Sequence, residues 1–249
     1  MMFLDKQNNQ LDNLRIVIYQ ESPLMTPETT PIKIFDQSQF WNRQHSLRLA
    51  EFASLAKQPT AFAEQCVQYL SNNSKILELG CANGRDASYF VRSKNCQIVA
   101  VDISFLPLQQ QADYQADEIA NISRVQAAAP CLPFNMTEPY FDAFYARSAI
   151  YLEDKSLILF LKKIKTYLKT GGYFMLQGKT TSSDDIAASQ EIGKNLVKDD
   201  TDHIRRVWEL TNTLEMFQQL GCNIIDTDVS HEQWSGQNKE FISIIAQKK

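Results

Sequence analysis

The chain has 249 residues, 44% of them hydrophobic and 22% charged, and a formal net charge of −4. Those are values of an ordinary globular protein with a full core. They argue against a general polyanion binder, so nucleic acid is not expected as a partner. Leu157 to Leu161 is the most apolar short run and falls far below a membrane span. The opening MMFLDKQNNQ lacks a basic stretch followed by an apolar one, so no membrane partner and a cytoplasmic location are expected. Cys66, Cys81, Cys96, Cys131 and Cys222 form no CxxC and no metal-like spacing with the histidines. They read as reduced, mostly buried thiols, and no metal site is expected.

Residues 1 to about 40 are polar and dotted with proline. They hold one β-like run at 14–19, and Pro23, Pro27 and Pro31 argue against a continuous helix there. From Gln39 to Leu70 the pattern turns helical, with Phe62, Cys66, Tyr69 and Leu70 along one face and Thr60 placed to cap. Residues 1–59 are read as an N-terminal extension or lid, and 60–249 as the ligand-binding domain.

Strands are predicted at 75–79, 97–102, about 123–127, 141–146 and 173–177. Helices are predicted at 85–92, 106–120, 155–168 (stopped by Gly171-Gly172) and 202–220 (stopped by Gly221). This alternation means βαβ units and a mainly parallel, doubly wound α/β sheet. The end departs from the rhythm. Segments 222–229 and 241–246 read as two strands with no helix between, joined by 231–238. They must pair antiparallel, because a parallel return needs a longer crossover.

The central motif is Ile76-Leu77-Glu78-Leu79-Gly80-Cys81-Ala82-Asn83-Gly84-Arg85-Asp86, where a strand gives way to a helix. Counting from Gly80, the last glycine of a dinucleotide GxGxxG would fall on Arg85, and no GxxxxGK[ST] run exists. Instead an acidic residue stands two before the first glycine, with small residues at Gly80, Ala82 and Gly84. A carboxylate at that turn repels a pyrophosphate and suits a ligand carrying an ammonium and a sulfonium. Asp102 ends the second strand, eighteen residues after Gly84. It can accept hydrogen bonds from ribose hydroxyls, or it caps the following helix.

These motifs resemble those of class I S-adenosylmethionine-dependent methyltransferases, nearest to small-molecule methyltransferases, over about residues 60–247. The resemblance implies a mainly parallel seven-stranded sheet whose last strand is inserted antiparallel beside the fifth. It implies S-adenosylmethionine as cofactor, held around Glu78, Gly80, Cys81, Ala82, Gly84, Asp86, Asp102, Ile103, Ala128, Ala129 and Arg147. Two positions depart from the family. Ala82 replaces the middle glycine, which calls for a negative φ. Ala128 replaces an acidic residue beside adenine, leaving the backbone of Ala128 and Ala129 with apolar contact from Ile103 or Leu132.

A subgroup of small-molecule methyltransferases carries Arg-Phe-x-x-His after the fourth strand, and here Arg147 is kept while Ser148 and Tyr151 replace the Phe and His. The segment Asp202-His203-Ile204-Arg205-Arg206 matches that subgroup, as do Phe40-Trp41 and residues 59–63. Tyr151 and His203 are therefore the candidate catalytic residues. Trp41, Arg205 and Arg206 are candidate contacts to a small polar, anionic acceptor, because guanidinium pairs bidentately with carboxylate or phosphate. Each has a structural alternative: a cap at Asp202, an ion pair of Arg147 with Asp142 or Glu153, simple packing for Trp41. The run Lys162-Lys163-Lys165 reads as wet helix surface. The functional reading is methyl transfer to that acceptor, and the alternative is a non-catalytic cofactor-binding or interaction module of the same fold.

Overall fold

The computed structural model describes residues 17–18, 31–48, 58–109, 116–201, 203–234 and 236–249. The rest of the run at 14–19, Pro23, Pro27 and Asp202 lie outside them. Strand β1 (Val17–Ile18) is followed by helix α1 (Pro31–Leu47) and α2 (Ala61–Cys66). Next come β2 (Lys75–Leu79), α3 (Arg85–Lys94) and β3 (Gln97–Asp102). Then α4 (Phe105–Gln109), α5 (Ala116–Asn121), β4 (Ile122–Gln126), β5 (Phe141–Arg147) and α6 (Asp154–Tyr167) lead to β6 (Leu168–Lys179). A short α7 (Asp184–Ala187) precedes β7 (Gln190–Gly193), β8 (Leu196–Lys198) and β9 (Ile204–Arg206). Helix α8 (Leu210–Gln219) and the hairpin β10 (Cys222–Trp234), β11 (Gln237–Lys248) close the chain.

The main sheet runs β1-β4-β3-β2-β5-β6-β11-β10. All pairs up to β6 are parallel, and β11 lies antiparallel between β6 and β10. This is the expected doubly wound seven-stranded sheet with its last strand reversed, extended at one edge by β1. A second sheet, β7-β8-β9, is wholly antiparallel.

Central strands are buried on both faces and so read as apolar runs. Alternation sends Leu77 and Leu79 to the face covered by α6 and α8, and Ile76 to the face covered by α2 and α3. Helix α6 buries Leu157, Phe160, Leu161, Ile164 and Tyr167, the three-and-four spacing of one stripe. Thr60 caps α2 as predicted, its hydroxyl accepting from Ala63 N at 3.0 Å.

Several boundaries differ from the sequence reading. Helix α1 reaches back to Pro31, since proline's missing N–H costs nothing at a first helical position. Of the helix predicted at 106–120, the described parts are α4 and α5, with 110–115 outside the described residues. Helix α6 ends at Tyr167, and Gly171-Gly172 is not its stop but part of β6. A Cβ on Gly172 would lie 2.9 Å from Lys169 O, so glycine there serves close backbone packing. The helix predicted at 202–220 begins only at Leu210. His203 lies just before β9, and Arg205 and Arg206 lie within it, paired to Val197 and Leu196. All five cysteines are free thiols. Lys162 and Lys163 are exposed, whereas Lys165 donates to Leu220 O. No helix among the described residues is long and apolar enough to cross a membrane.

Candidate functional site

The turn after β2 is built from left-handed backbone. Gly80 has φ +76°, Ala82 +47° and Gly84 +79°. Gly80 N and Cys81 N both donate to Val101 O, at 2.7 and 3.1 Å, which folds the turn over the end of β3. A Cβ on Gly80 would stand 2.1 Å from Ala149 Cβ, so only glycine lets the two loops meet. The expectation of a negative φ at Ala82 is overturned. An alanine there carries left-handed strain of about 1–2 kcal/mol, held in place because Ala82 N donates to Asp102 Oδ2 at 2.8 Å.

Glu78 is the charged residue of a central strand that is otherwise apolar apart from Lys75, and it is 3% exposed. Its Oε2 is buried with no partner. Burial, then the charges of Asp86 and Asp102, push its carboxyl well above the usual range, against a smaller pull from Arg85. Asp102, 6% exposed, also accepts from Ser104 N at 2.8 Å. Burial lifts it to about 6, with hydrogen bonds from Ser104, Ala82 and Ile103 opposing. Asp102 thus braces the turn and the start of α4 in the same geometry that presents it to the cavity. Asp86 is more heavily engaged. It accepts from Thr60 N, Thr60 Oγ1 and Tyr145 OH at 2.8, 3.0 and 2.7 Å, fastening α2 to α3 and β5.

These groups open onto a cavity of about 490 Å³. Every predicted site residue except Gly84 lines it. Gly84 instead forms the N-terminal junction of α3. Ile103, Ala128 and Ala129 lie along the β3 and β4 side, while Leu132 is packed into the core. Arg147 does not pair with Asp142 or Glu153. Its Nη2 bonds both oxygens of Glu232 at 2.6 Å, and its Nε bonds Gln177 Oε1 at 2.7 Å. Ser148, at φ +51°, holds the loop beyond β5 in a sharp bend.

The opposite end of the cavity is basic. Lys179 closes β6, and β11 runs antiparallel beside it with Phe241 opposite Lys179, which brings Lys239 to the same edge. Lys179 and Arg205 both bond Asp185 Oδ2, the latter at 2.7 Å, and Lys239 Nζ lies 3.8 Å from it. Burial alone would raise the Asp185 carboxyl, but Lys179, Arg205 and Lys239 together hold it below its ordinary value. Arg206 does not face an acceptor freely. It is buried, bonding Asp154 Oδ1 at 2.6 Å and Leu152 O at 2.7 Å.

His203 is 2% exposed. Its ring stacks on Phe40 at 4.2 Å and meets Trp41 and Tyr151 edge-on at 5.1 and 5.6 Å. Burial and then Arg205 lower it to about 3, so it is neutral. Arg205 Nε donates to Nδ1 at 3.0 Å, which places the ring proton on Nε2. Neither nitrogen keeps a lone pair with which to take a proton from an acceptor. Tyr151 donates its hydroxyl to Ser148 O at 2.6 Å, and burial raises its pKa further.

Trp41 reaches the cavity from α1, which is tied down at two places. Ser38 Oγ donates to Ile103 O at 3.0 Å, and Asn42 Oδ1 accepts from Ser104 Oγ and Leu106 N at 2.6 and 3.3 Å. The sequence reading gave no role to Lys179, Asp185, Lys239 or His45, all of which line the cavity. Lys179 could have been found from its place at the end of a parallel strand, where ligands collect. Nothing in the sequence signals Asp185.

Residues 76–172 match the family described as methyltransferase domain. Residues 76–172 therefore carry a methyltransferase domain, set in a sheet with the class I methyltransferase topology. The fold is shared with the 1,6-didemethyltoxoflavin-N1-methyltransferase of Burkholderia thailandensis, solved with 1,6-didemethyltoxoflavin and S-adenosylhomocysteine bound (TM-score 0.64, 17% identity, 92% of this chain and 93% of that one). It is shared also with an S-adenosylmethionine-dependent methyltransferase of Methanosarcina mazei (0.59, 19%, 73% and 95%). A third, the cyclase SpnF, has a TM-score of 0.61 at 17% identity, over 85% of this chain and 96% of that one. No curated protein matches the chain in sequence.

The methyltransferase domain's cofactor fits the residues present. The unpartnered Oε2 of Glu78 and the glycine-only approach of Gly80 to Ala149 leave an acidic cradle suited to a cationic ligand.

Proposed function

We propose that this methyltransferase acts on a small polar acceptor that carries negative charge. The observation behind the reading is that Lys179, Arg205 and Lys239 gather around one carboxylate, Asp185, in the cavity that also holds Glu78 and Asp102. In this reading Glu78 and the turn from Gly80 to Ala82 hold the amino-acid end of S-adenosylmethionine, Asp102 its ribose, and Ile103, Ala128 and Ala129 its adenine. When bound, the cofactor supplies an electrophilic methyl group on a sulfonium. The chain's own part is alignment and exclusion of water, for which a packed wall suffices. With His203 and Tyr151 committed to Arg205 and Ser148, the acceptor atom is one that needs no base: already ionised, or bearing a lone pair without a high-pKa proton. Helix α1, with Trp41, serves as the lid.

The test is transfer of an isotopic methyl group to a panel of organic acids, each beside its neutral amide. Label entering the acids supports the proposal, and label confined to neutral or cationic acceptors overturns it. The committed state of both candidate catalytic residues also favours a second reading, a module that binds cofactor without transferring methyl. Calorimetric heat with S-adenosylhomocysteine, but no transfer to any acceptor in the panel, is its signature.

A further inference from the structure

We infer that Lys179, Arg205 and Lys239 form a subsite for one carboxylate of an aromatic acid, with Asp185 acting as an internal counter-ion that competes for the same cations. The inference deepens the acceptor reading above and rests on it.

Charge sets the sign of the group. The cluster holds three cations, and the carboxylates against them are Asp185 and, 3.4 Å from Arg205 Nη2, Asp199. Arg48 lines the same cavity and adds to the positive potential at Lys239, so the cations outnumber these carboxylates and the cluster favours an anion. The neighbouring Arg147 and Glu232 cancel each other. Burial lowers Lys179 to about 8, against the pull of Asp185, so it still carries its charge at neutral pH.

Satisfaction is incomplete. Asp185 Oδ2 takes all three cations while Oδ1 is buried with no partner. A carboxylate with one unsatisfied oxygen is a costly structural device, of about 1–3 kcal/mol, and its position reads more naturally as a stand-in for a ligand group. The body attached to that group meets rings: Trp41, Tyr151, Trp208 and Phe241 line the same cavity. Flat, apolar walls favour a planar partner through stacked and edge-on contacts.

The experiment uses full-length protein saturated with S-adenosylhomocysteine, that binding being measured first by calorimetry. Benzoate, benzamide and inorganic phosphate are then titrated separately. Benzoate should bind, benzamide should not, and phosphate should bind more weakly than benzoate. Asp185→Asn should tighten benzoate about fivefold, and Lys239→Gln should weaken it about tenfold, the effect of one charge-assisted contact. Equal binding of benzamide, stronger binding of phosphate, or an Asp185→Asn variant with unchanged or weaker benzoate binding overturns the subsite. If Asp185→Asn fails to fold, Lys239→Gln and Lys179→Gln decide, and wild-type benzoate affinity in both overturns it. Absence of S-adenosylhomocysteine heat beside intact benzoate binding would sink the methyl-transfer reading and leave the subsite standing.

Discussion

The two ends of the cavity are built on opposite plans. The acidic end rests on the carboxyl edges of β2 and β3, where Glu78 and Asp102 are buried and the backbone turn itself supplies the shape. The basic end is assembled from three places far apart in the chain: the end of β6, the small sheet at β9, and the reversed strand β11. One end is a strained turn with carboxylates pushed toward their neutral forms. The other is a cluster of opposite charges that stabilise one another. The first is ready for a cation, and the second already contains an anion.

The sharpest way to break this contrast is Gly80→Ala. Left-handed strain and the collision with Ala149 Cβ add to about 3 kcal/mol or more. Loss of S-adenosylhomocysteine binding and a large fall in urea midpoint are expected. A variant that keeps both would show the turn to be pliable.

Asp102→Asn should weaken S-adenosylhomocysteine by about 1–3 kcal/mol, the range for charge-assisted hydrogen bonds. Because Asp102 in the unliganded protein titrates near 6, wild-type affinity should be full above pH 7 and fall about tenfold per unit below 6. The Asn variant should lack that pH dependence, as calorimetry at pH 5 and 7.5 would show.

Acid should act on the two ends with opposite sign. Asp102 is raised in the folded state, so its contribution to stability is present at low pH and lost as pH rises through about 6. His203 is depressed to about 3 and His45 to about 4, so theirs is present above the unfolded value of about 6.5 and lost as pH falls. Each such histidine costs about 2 kcal/mol between pH 6.5 and 5. His203→Phe keeps a ring against Phe40 but orphans Arg205 Nε. It should be about 1 kcal/mol less stable at pH 7 and the more stable protein at pH 5. Thermal melts that do not cross would refute this.

The smallest effect is expected at Ala82→Gly. Removing the Cβ relieves the left-handed strain, partly offset by the entropy of glycine. A gain of about 0.4–1 kcal/mol is expected, read as a modest rise in melting temperature.

The same contrast explains what could be read from the amino acids. Strand alternation, the carboxylate two places before Gly80 and the reversed final strand are local or nearly local patterns, and the parallel sheet and the acidic end follow from them. The basic end depends on register: Lys239 reaches Lys179 only because Phe241 pairs with it across β6 and β11. Arg205 and Arg206 looked alike in the chain, yet adjacent strand positions point to opposite sides, so one faces Asp185 and the other is locked to Asp154. The helical reading of 203–209 failed because pairing of 204–206 with β8 outweighs local propensity. Ala82 failed differently, since a hydrogen bond from its own N–H to Asp102 holds a conformation alanine would not choose.

Helix α1 joins what the two plans keep separate. Ser38 and Asn42 fasten it to the Ile103–Ser104 bend, and between them in the chain Phe40 and Trp41 grip the His203 ring. A tilt of α1 that broke the first pair of contacts would also slacken the ring stack behind Arg205. The geometry of the acidic end and that of the basic end are therefore coupled through one helix.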